Sequence, residues 1–591
     1  MSGRSLLRPA PLLVVAAIVA CGGAAAAPRP ALVTEAERSG WIRTGRHDEM
    51  VRLCRGFEAS YPGRARCDRF GTTPEGREML ALVVGRADST RPALLVQAGI
   101  HAGEIEGKDA GFWFIRDLLE GRVAPGSLDA ATLVFVPILN PDGHERFGPG
   151  NRPNQRGPVE MGFRTNAQNL NLNRDYTKLD APELAALLRL WRRWDPVVYV
   201  DLHTTDGAKF EHDVAVMVSP RAPREDGLDE VGRALSDQLQ ARLTQLGHLP
   251  LDFYPSFMKD DDPASGFEDG ESPPRFSTAY AAARGRIGIL VETHSWHDYR
   301  QRARATYHVL QALLERAATD GASWRRVARE TDASDARLAG RDVALAYRTS
   351  EKARTIDFRG YRYQRRRSGV SGGTWTVYDE KQPQIWKVPL RNEMLPELVV
   401  TAPRAGYLVT AGFAAVIAPR LDSHHIRYRR LDRALTADAE VYRVSKAEYE
   451  PPFEGRTRAA ITGAWKRERR RVSPGALWIP IDQPRARLAM HLFEPGAPDS
   501  LASWGFFNVA MEQKEYMEAY VAEEVAREML ADPKVRAAFD EALKDPAFAG
   551  SPARRLDFFY RRHASYDETK DMLPVFRLDA PPPWRAGAAR E

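Results

Sequence analysis

The chain has 591 residues, of which 43% are hydrophobic and 28% charged, a composition typical of globular proteins and unlike that of disordered ones. This length exceeds what one ordinary hydrophobic core supports, so it predicts two or more domains. The net charge of +6 is small for the length. No basic block or nucleic-acid-binding motif accompanies it, and we therefore expect no nucleic-acid partner.

The N-terminus predicts export. Two arginines precede an apolar run at residues 12–20, which has the length of a signal-peptide core and is too short to span a membrane. Small residues further on predict a signal peptide over residues 1–27. Alternatively, a segment resembling a bacterial lipobox makes residues 1–20 a lipoprotein signal and Cys21 the lipidated first residue. Either interpretation predicts a periplasmic or extracellular protein, in the second case anchored to a membrane.

Cys54 and Cys67 remain as a pair if Cys21 is removed or lipidated. In an exported protein, one such pair favours a single disulfide. The alternative is two buried free thiols.

Short apolar runs alternate with amphipathic segments between residues 35 and 330. The apolar runs predict buried strands and the segments between them predict helices. The predicted strands are 93–98, 131–139, 197–202, 214–218 and 287–291, and the predicted helices are 108–119, 182–194, 228–246 and 300–317. This alternation predicts an α/β catalytic domain over residues 35–330, with a mixed, mostly parallel sheet and helices on both faces.

The second half of the chain has a different pattern. Short alternating segments between turns predict a β-rich accessory domain over residues 335–500. Helical periodicity at 514–530 and 535–543 predicts a helical C-terminal segment over residues 501–580.

Polar residues follow several of the predicted strands. His101 and Glu104 come after the strand 93–98, His203 follows the strand 197–202, and Glu292 ends a later strand. The carboxyl ends of parallel strands share one edge of a sheet, where ligands bind. Two imidazoles and a carboxylate form a catalytic zinc site when a fourth position stays open, and a further carboxylate can move protons there. An HxxE pair alone is weak evidence, because it is common by chance.

The order of these motifs resembles that of the M14 zinc carboxypeptidases. HxxE at 101–104, NPDG at 140–143, LNR at 172–174, the distant His203 and VET at 291–293 occur in that order. Any one motif is weak, but the resemblance covers about residues 40–320. The rest of the chain resembles the extension found after the catalytic domain in some large secreted bacterial members.

The resemblance implies a carboxypeptidase-like fold, one Zn²⁺ per chain and a set of site residues. The implied residues are the zinc ligands His101, Glu104 and His203, the general base and acid Glu292, and the carboxylate-binding pair Asn173 and Arg174. An arginine between NPDG and LNR is expected to stabilise the oxyanion. We favour Arg164 for this role over Arg152 and Arg156.

Two departures from the family pattern affect the predicted substrate. Asp175 follows LNR and brings negative charge close to the expected carboxylate pocket. The family's substrate-capping tyrosine has two candidates here, Tyr254 and Tyr280, and either is equally compatible with simple packing. An acidic run at residues 260–262 is interpreted as a solvated loop, with cation binding or selection of basic substrates as alternatives.

The resemblance predicts a zinc exopeptidase that hydrolyses the C-terminal peptide bond of peptides with a free carboxylate, using metal-activated water and a glutamate base. The alternative is a zinc amidase or deacylase that acts on cell-wall peptides or acyl amides. A non-catalytic binding protein is the weakest hypothesis, because all three ligands and Glu292 are present.

Overall fold

The computed structural model describes Met1 and residues 32–86 and 91–583. The predicted signal segment, 1–27 or 1–20, and Cys21 therefore lie outside the described residues. Across the described ranges, no helix has both the length and the apolar character that a membrane crossing requires.

An eight-stranded mixed sheet forms the N-terminal part of the protein. The first nine strands are β1 (Ala65–Thr72), β2 (Glu78–Val84), β3 (Ala93–Ala98), β4 (Thr132–Val136), β5 (Val198–Thr205), β6 (Val214–Ser219), β7 (Pro250–Leu251), β8 (Phe267–Glu268) and β9 (Ile287–His294). The sheet order is β1-β2-β4-β3-β5-β9-β6-β7, and the central strands β4, β3, β5 and β9 are parallel.

Within the described ranges, nine α-helices accompany these strands. They are α1 (Glu35–Arg38), α2 (His47–Ser60), α3 (Glu106–Leu119), α4 (Ser127–Ala130), α5 (Pro141–Glu145), α6 (Pro182–Trp194), α7 (Leu228–Gln245), α8 (Ser277–Ala283) and α9 (Tyr299–Asp335).

The sheet is buried on both faces because its strands carry apolar residues at successive positions. On β2, Leu80 and Leu82 pack in the hydrophobic core formed with α2, α3, α7 and α9. The intervening Ala81 and Val83 pack in a second core with α6 and α8. The predicted mixed, mostly parallel sheet with helices on both faces is confirmed.

Two of the predicted strands continue beyond their apolar runs. The strand predicted at 197–202 extends as β5 to Thr205, and the one predicted at 287–291 extends as β9 to His294. His203 and Glu292 therefore lie inside strands and not after them. The β-branched Thr204, Thr205 and Thr293 favour this extension.

The described part of the second half, which ends at residue 583, contains ten more strands and six α-helices. The strands are β10 (Asp342–Thr349), β11 (Arg354–Arg367), β12 (Thr374–Arg391), β13 (Met394–Thr401), β14 (Gly406–Val409), β15 (Arg429–Arg430), β16 (Leu435–Tyr449), β17 (Ala459–Val472), β18 (Leu477–Pro480) and β19 (Met572–Leu578). The helices are α10 (Ala414–His424), α11 (Ala486–Phe493), α12 (Ala519–Met529), α13 (Pro533–Ala542), α14 (Pro546–Ala549) and α15 (Pro552–Tyr560).

The segment 501–580, expected to be helical, contains both helices and a strand. Helices α12 to α15 lie within it, but β19 also does, and it pairs with β14 and β16 inside the six-stranded sheet β15-β18-β14-β19-β16-β17. The C-terminal segment therefore completes the sheet of the β-rich part.

The β11–β12 hairpin packs directly against the N-terminal sheet. Strand β12 pairs in parallel with β8, which follows β7 in the N-terminal half. Phe358 and Trp386 of the hairpin share a hydrophobic core with Phe210, Met217 and Phe267. The hairpin is thereby joined to the N-terminal half both by backbone pairing and by side-chain packing.

Cys54 of α2 and Cys67 of β1 form a disulfide, with Cα atoms 5.4 Å apart. This is the pairing that the sequence favours. The bond links the first long helix to the edge strand of the N-terminal sheet, far in sequence from the predicted ligands.

Candidate metal centre

The parallel pairing of β5 with β9 brings His203 and Glu292 together. The two residues are direct register partners on adjacent strands. His101 and Glu104 lie in the turn between β3 and α3, where the backbone N–H of Glu104 donates to the carbonyl of His101 at 3.0 Å. Because β3 is the other neighbour of β5, this turn lies at the same edge of the sheet.

The side chains of His101, Glu104 and His203 converge on one point. Each offers a ligand atom, and these atoms lie within 4.8 Å of one another. His101 Nδ1 is 3.0 Å from Glu104 Oε1, and His203 Nδ1 is 2.8 Å from Glu104 Oε2. All three side chains are buried. This donor set, with a cavity beside it, suits a catalytic zinc ion.

Two of the predicted ligands carry protonation states that suit a metal. Burial lowers the pKa of His101 to about 4, so its imidazole is neutral at neutral pH. Burial opposes ionisation of Glu104, but the neighbouring His101 and Arg152 hold the pKa of its carboxyl well below the usual range. Neutral imidazole and ionised carboxylate are the forms that bind metal ions.

Outer partners orient both imidazoles. His101 Nε2 is 3.0 Å from Asn171 Oδ1, and His203 Nε2 is 2.7 Å from Asp201 Oδ2. Burial lowers the pKa of His203, but Asp201 more than compensates and the pKa stays well above its usual value. The hydrogen bond with Asn171 and the close ion-pair contact with Asp201 each restrict the ring orientation of one histidine, as outer partners of metal-binding histidines do. Neither Asn171 nor Asp201 is among the site residues predicted from the sequence.

The carboxyl of Glu292 is buried next to His203. Its Oε2 makes no hydrogen bond within the described part of the chain. Its pKa is raised to about 8, chiefly by burial and also by Glu104 and Asp201, while His203 and Arg152 act in the opposite direction. A carboxyl with a raised pKa beside a metal site is suited to proton transfer near neutral pH.

A cavity of about 420 Å³ connects the predicted ligands with the predicted substrate-binding residues. Its walls include His101, Glu104, Arg164, Asn173, Arg174, His203, Tyr254, Phe276 and Glu292. Arg221 and Asp269 form an ion pair in the wall of the same cavity. The cavity therefore offers apolar, cationic and anionic groups beside the ligand cluster.

Arg174 presents its guanidinium group to the cavity. The short 3₁₀ helix Leu172–Arg174 carries it, and Phe276 supports it, with the ring centroid 4.2 Å from Cζ. Its Nη1 donates to the carbonyl of Asn173 at 2.8 Å, and no carboxylate forms an ion pair with it among the described residues. Burial and the nearby Arg164 lower its pKa to about 10, so it stays charged at neutral pH.

Residues 50–262 match the family model described as zinc carboxypeptidase, Peptidase_M14. The chain carries a zinc carboxypeptidase domain of the M14 family. The matched residues contain the three predicted ligands and the Asn173–Arg174 pair. Glu292 lies beyond the matched segment, and it is tied to the domain by its pairing with His203.

Individual relatives match shorter parts of the domain. The chain is 30% identical over 137 residues to carboxypeptidase D of Drosophila melanogaster, covering 22% of this chain and 10% of that protein. It is 36% identical over 78 residues to carboxypeptidase B of Homo sapiens, covering 12% of this chain and 19% of that protein. The chain thus spans a fifth or less of these two relatives.

A likeness to solved structures also covers about half of the chain. The crystal structure of carboxypeptidase A from Helicoverpa armigera has a TM-score of 0.35 and 16% sequence identity. The match covers 47% of this chain and 74% of that chain.

Two of the three candidate arginines reach the ligand cluster of the zinc carboxypeptidase domain. Arg152 Nη2 is 3.0 Å from Glu104 Oε1, and Arg164 Nη1 is 3.3 Å from the same oxygen. Only Arg164 of these two lines the cavity. Arg156 instead pairs with Glu380 of the β11–β12 hairpin at 2.9 Å. Gly103 leaves room for Arg152, because a Cβ there would lie 2.6 Å from Arg152 Cγ.

The two candidate tyrosines lie in different environments. Tyr254 lines the cavity, and its hydroxyl accepts a hydrogen bond from Thr205 Oγ1 at 2.8 Å. Tyr280 is fully buried, with its ring 5.9 Å from that of Trp191 and its hydroxyl 2.8 Å from His424 Nδ1. Tyr254 is therefore available to substrate, and Tyr280 belongs to the core.

The acidic residues near the site bind other parts of the protein. Asp175 is fully buried, where it pairs with Lys178 at 2.5 Å. Asp261 accepts a hydrogen bond from the backbone N–H of Thr376 at 2.7 Å, and Asp262 lies 2.9 Å from Arg365 Nη1. The run at 260–262, interpreted as a solvated loop, instead supplies two residues that hold the β11–β12 hairpin.

Glu292→Gln tests the protonation of the buried carboxyl. In the metal-free protein the folded state keeps the Glu292 proton up to about pH 8, whereas the unfolded chain releases it near 4.5. The contribution of this group to stability is therefore full below about pH 4.5 and is lost as the pH rises through about 8. With chelator present, we expect the free energy of unfolding to fall more for the native protein than for the Glu292→Gln variant as the pH rises from about 4.5 to about 8.

Urea denaturation of both proteins at a series of pH values, with chelator throughout, measures this difference. Parallel pH profiles would show that Glu292 is already ionised in the folded, metal-free state.

Proposed function

We propose that this protein is a zinc-dependent exopeptidase that removes the C-terminal residue of peptides. The observation that carries the proposal is the shared cavity, in which the carboxyl of Glu292 and the guanidinium of Arg174 lie on the same lining as the His101, Glu104 and His203 cluster. The zinc carboxypeptidase domain supports a peptidase. A charged guanidinium without an acidic partner is suited to binding the terminal carboxylate of a substrate.

The chain's own residues account for binding and proton transfer. Arg174 binds the substrate's carboxylate, with Asn173 beside it, and this fixes the position of the last peptide bond. Glu292 accepts a proton from the attacking water and delivers it to the leaving amine. Arg164 is close enough to Glu104 to stabilise negative charge that develops on the carbonyl oxygen.

His101, Glu104 and His203 are the residues that would hold the zinc ion. When bound, the ion supplies Lewis acidity that activates water and polarises the scissile carbonyl. Asp201 and Asn171 keep the two imidazoles oriented toward Glu104. Tyr254, which as a whole residue is 37% exposed, lies where it can cover a bound substrate.

We also propose that the protein is exported, because an apolar run at residues 12–20 has the character of a signal-peptide core. The intact mass of the protein purified from its host's cell envelope or medium tests this. Cleavage after residue 27 supports an ordinary signal peptide, and a diacylglyceryl-modified Cys21 supports a lipid anchor. A full-length, unprocessed chain contradicts export.

A mixed peptide library with free C-termini tests the exopeptidase activity directly by mass spectrometry. We expect the mature protein to remove single C-terminal residues, and a zinc chelator to abolish the reaction. Glu292→Gln should lower kcat by about 10²- to 10⁴-fold, because the proton transfer is lost. Glu315→Gln is the matched control, since Glu315 lies on α9 and pairs with Arg242 away from the cavity.

Cleavage inside the peptides would contradict an exopeptidase. An absence of cleavage by a protein that binds zinc stoichiometrically would favour the amidase or deacylase hypothesis. Muropeptides and acyl amides would then be the substrates to test.

Arg174→Ala tests recognition of the terminal carboxylate. We expect kcat/KM for peptides with a free C-terminus to fall by about 10- to 100-fold, the value of a lost charge-assisted hydrogen bond. Arg562→Ala is the control, because Arg562 also stacks on an aromatic ring, at 3.5 Å from the centroid of Phe558, but is not one of the cavity-lining residues. An equal fall in kcat/KM for peptides with free and with amidated C-termini would show that Arg174 does not bind the terminal carboxylate.

A further inference from the structure

A fully buried ion pair lies beneath the metal centre. Glu106, on the first turn of α3, and Arg302, near the start of α9, are 1% and 0% exposed. Arg302 Nε and Nη2 both lie 2.5 Å from Glu106 Oε1. Two charges are costly to bury, and neither residue belongs to the site described above.

The second oxygen of Glu106 contacts the strand that carries a predicted ligand. Thr204 follows His203 on β5, so its side chain points to the opposite face, toward α3. Thr204 Oγ1 donates to Glu106 Oε2 at 2.6 Å, and the backbone N–H of Thr204 donates to Glu104 Oε2 at 3.2 Å. One residue therefore connects the buried pair to two predicted ligands.

The same hydroxyl also reaches the strand of the predicted base. Thr204 Oγ1 is 3.2 Å from Thr293 Oγ1, and Thr293 Oγ1 donates to the carbonyl of His203 at 3.2 Å. Thr293 is the residue after Glu292 and is completely buried. The two threonine hydroxyls thus link β5 and β9 on the face opposite to the site.

Arg302 holds the surrounding loops through their backbone carbonyls. It donates to the carbonyls of Arg156 at 2.9 Å and Gly157 at 2.6 Å, and to those of Ser295 at 3.2 Å and His297 at 2.5 Å. The loop of Arg156 and Gly157 also contains Arg152, which contacts Glu104. Ser295 and His297 lie in the loop that follows β9. Every donor group of this guanidinium is engaged with Glu106 or a backbone carbonyl.

We propose that Glu106 and Arg302 are positioning residues for the metal centre, acting through the Thr204 hydroxyl. The inference rests on the proposed zinc site. The pair fixes His203, the Thr204 N–H contact to Glu104 and the loop of Arg152 in one arrangement, so that the ligand atoms converge before the metal binds. Its role is to raise the affinity for zinc, and it touches neither substrate nor the reacting atoms.

Thr204→Val tests the connection with the least disturbance. The substitution keeps the shape and β-branching of the side chain but removes the donor to Glu106. We expect the zinc Kd, measured with zinc alone by competition with a chromophoric chelator, to rise by about 10- to 100-fold, as is usual when an outer partner of a metal ligand is lost. Thr204→Ser keeps the hydroxyl and should restore the native Kd.

Thr331→Val is the matched control. Thr331 is also fully buried, on α9, and its hydroxyl has no hydrogen-bond partner among the described residues. We expect its zinc Kd to equal that of the native protein. A zinc Kd for Thr204→Val within twofold of the native value, in a protein with unchanged far-UV circular dichroism, would overturn the proposal.

Glu106→Gln provides a second, independent test where it folds. If Glu106 acts through Thr204, the zinc Kd of the Glu106→Gln/Thr204→Val double variant should be no higher than the Kd of whichever single variant has the higher Kd. If the losses of zinc-binding free energy in the two single variants add fully in the double variant, Glu106 does not act through Thr204. Because zinc binding is measured without substrate, the result does not depend on whether the proposed peptidase activity is correct.

Discussion

The site depends on the register of β5 and β9. Parallel pairing sets His203 beside Glu292, and neighbouring strands are about 4.8 Å apart. A slip of one residue would turn Glu292 to the face where Val291 packs against α3 and α9. Val200 and Ile289 pack in the core on that face, whereas Tyr199 packs in the core on the opposite face. A slip would exchange side chains that fit two different cores, and this opposes it. The hydrophobic core thereby determines which carboxyl faces the ligands.

The charge of the buried cluster explains why it suits a cation. The carboxyl groups of Glu104, Asp201 and Glu292 are gathered around two imidazoles in a region from which water is largely excluded. Burial opposes ionisation of Glu292, and the other two carboxylates oppose it further, so its pKa rises to about 8. A divalent cation bound by His101 and Glu104 would reverse that balance and favour the ionised base. Metal binding and proton release at Glu292 are therefore expected to be coupled.

Much of the fold and of the ligand cluster could be predicted from the sequence, because both depend on local patterns. The apolar run 93–98 coincides with β3, and polar residues after such runs indicate the edge of the sheet. Asp201 could not be recognised, since it lies within a strand that is otherwise apolar, although its spacing of two from His203 places both on one face. The contact of Arg152 with Glu104 and the insertion of β19 between β14 and β16 depend on distant parts of the chain, which local patterns do not reveal.

The β11–β12 hairpin of the C-terminal half packs behind one wall of the cavity. Met217 and Leu290 line the cavity on one side and pack on the other against the core that contains Phe358 and Trp386 of β11 and β12. The end of β12 also pairs with β8, and the carbonyl of Arg391 accepts a hydrogen bond from the backbone N–H of the cavity residue Asp269 at 2.9 Å. Without the hairpin, these apolar side chains would be exposed to water and the backbone of this wall would lose its pairing. The cavity wall that contains Met217, Leu290 and Asp269 therefore depends on packing and backbone pairing with the C-terminal half of the chain.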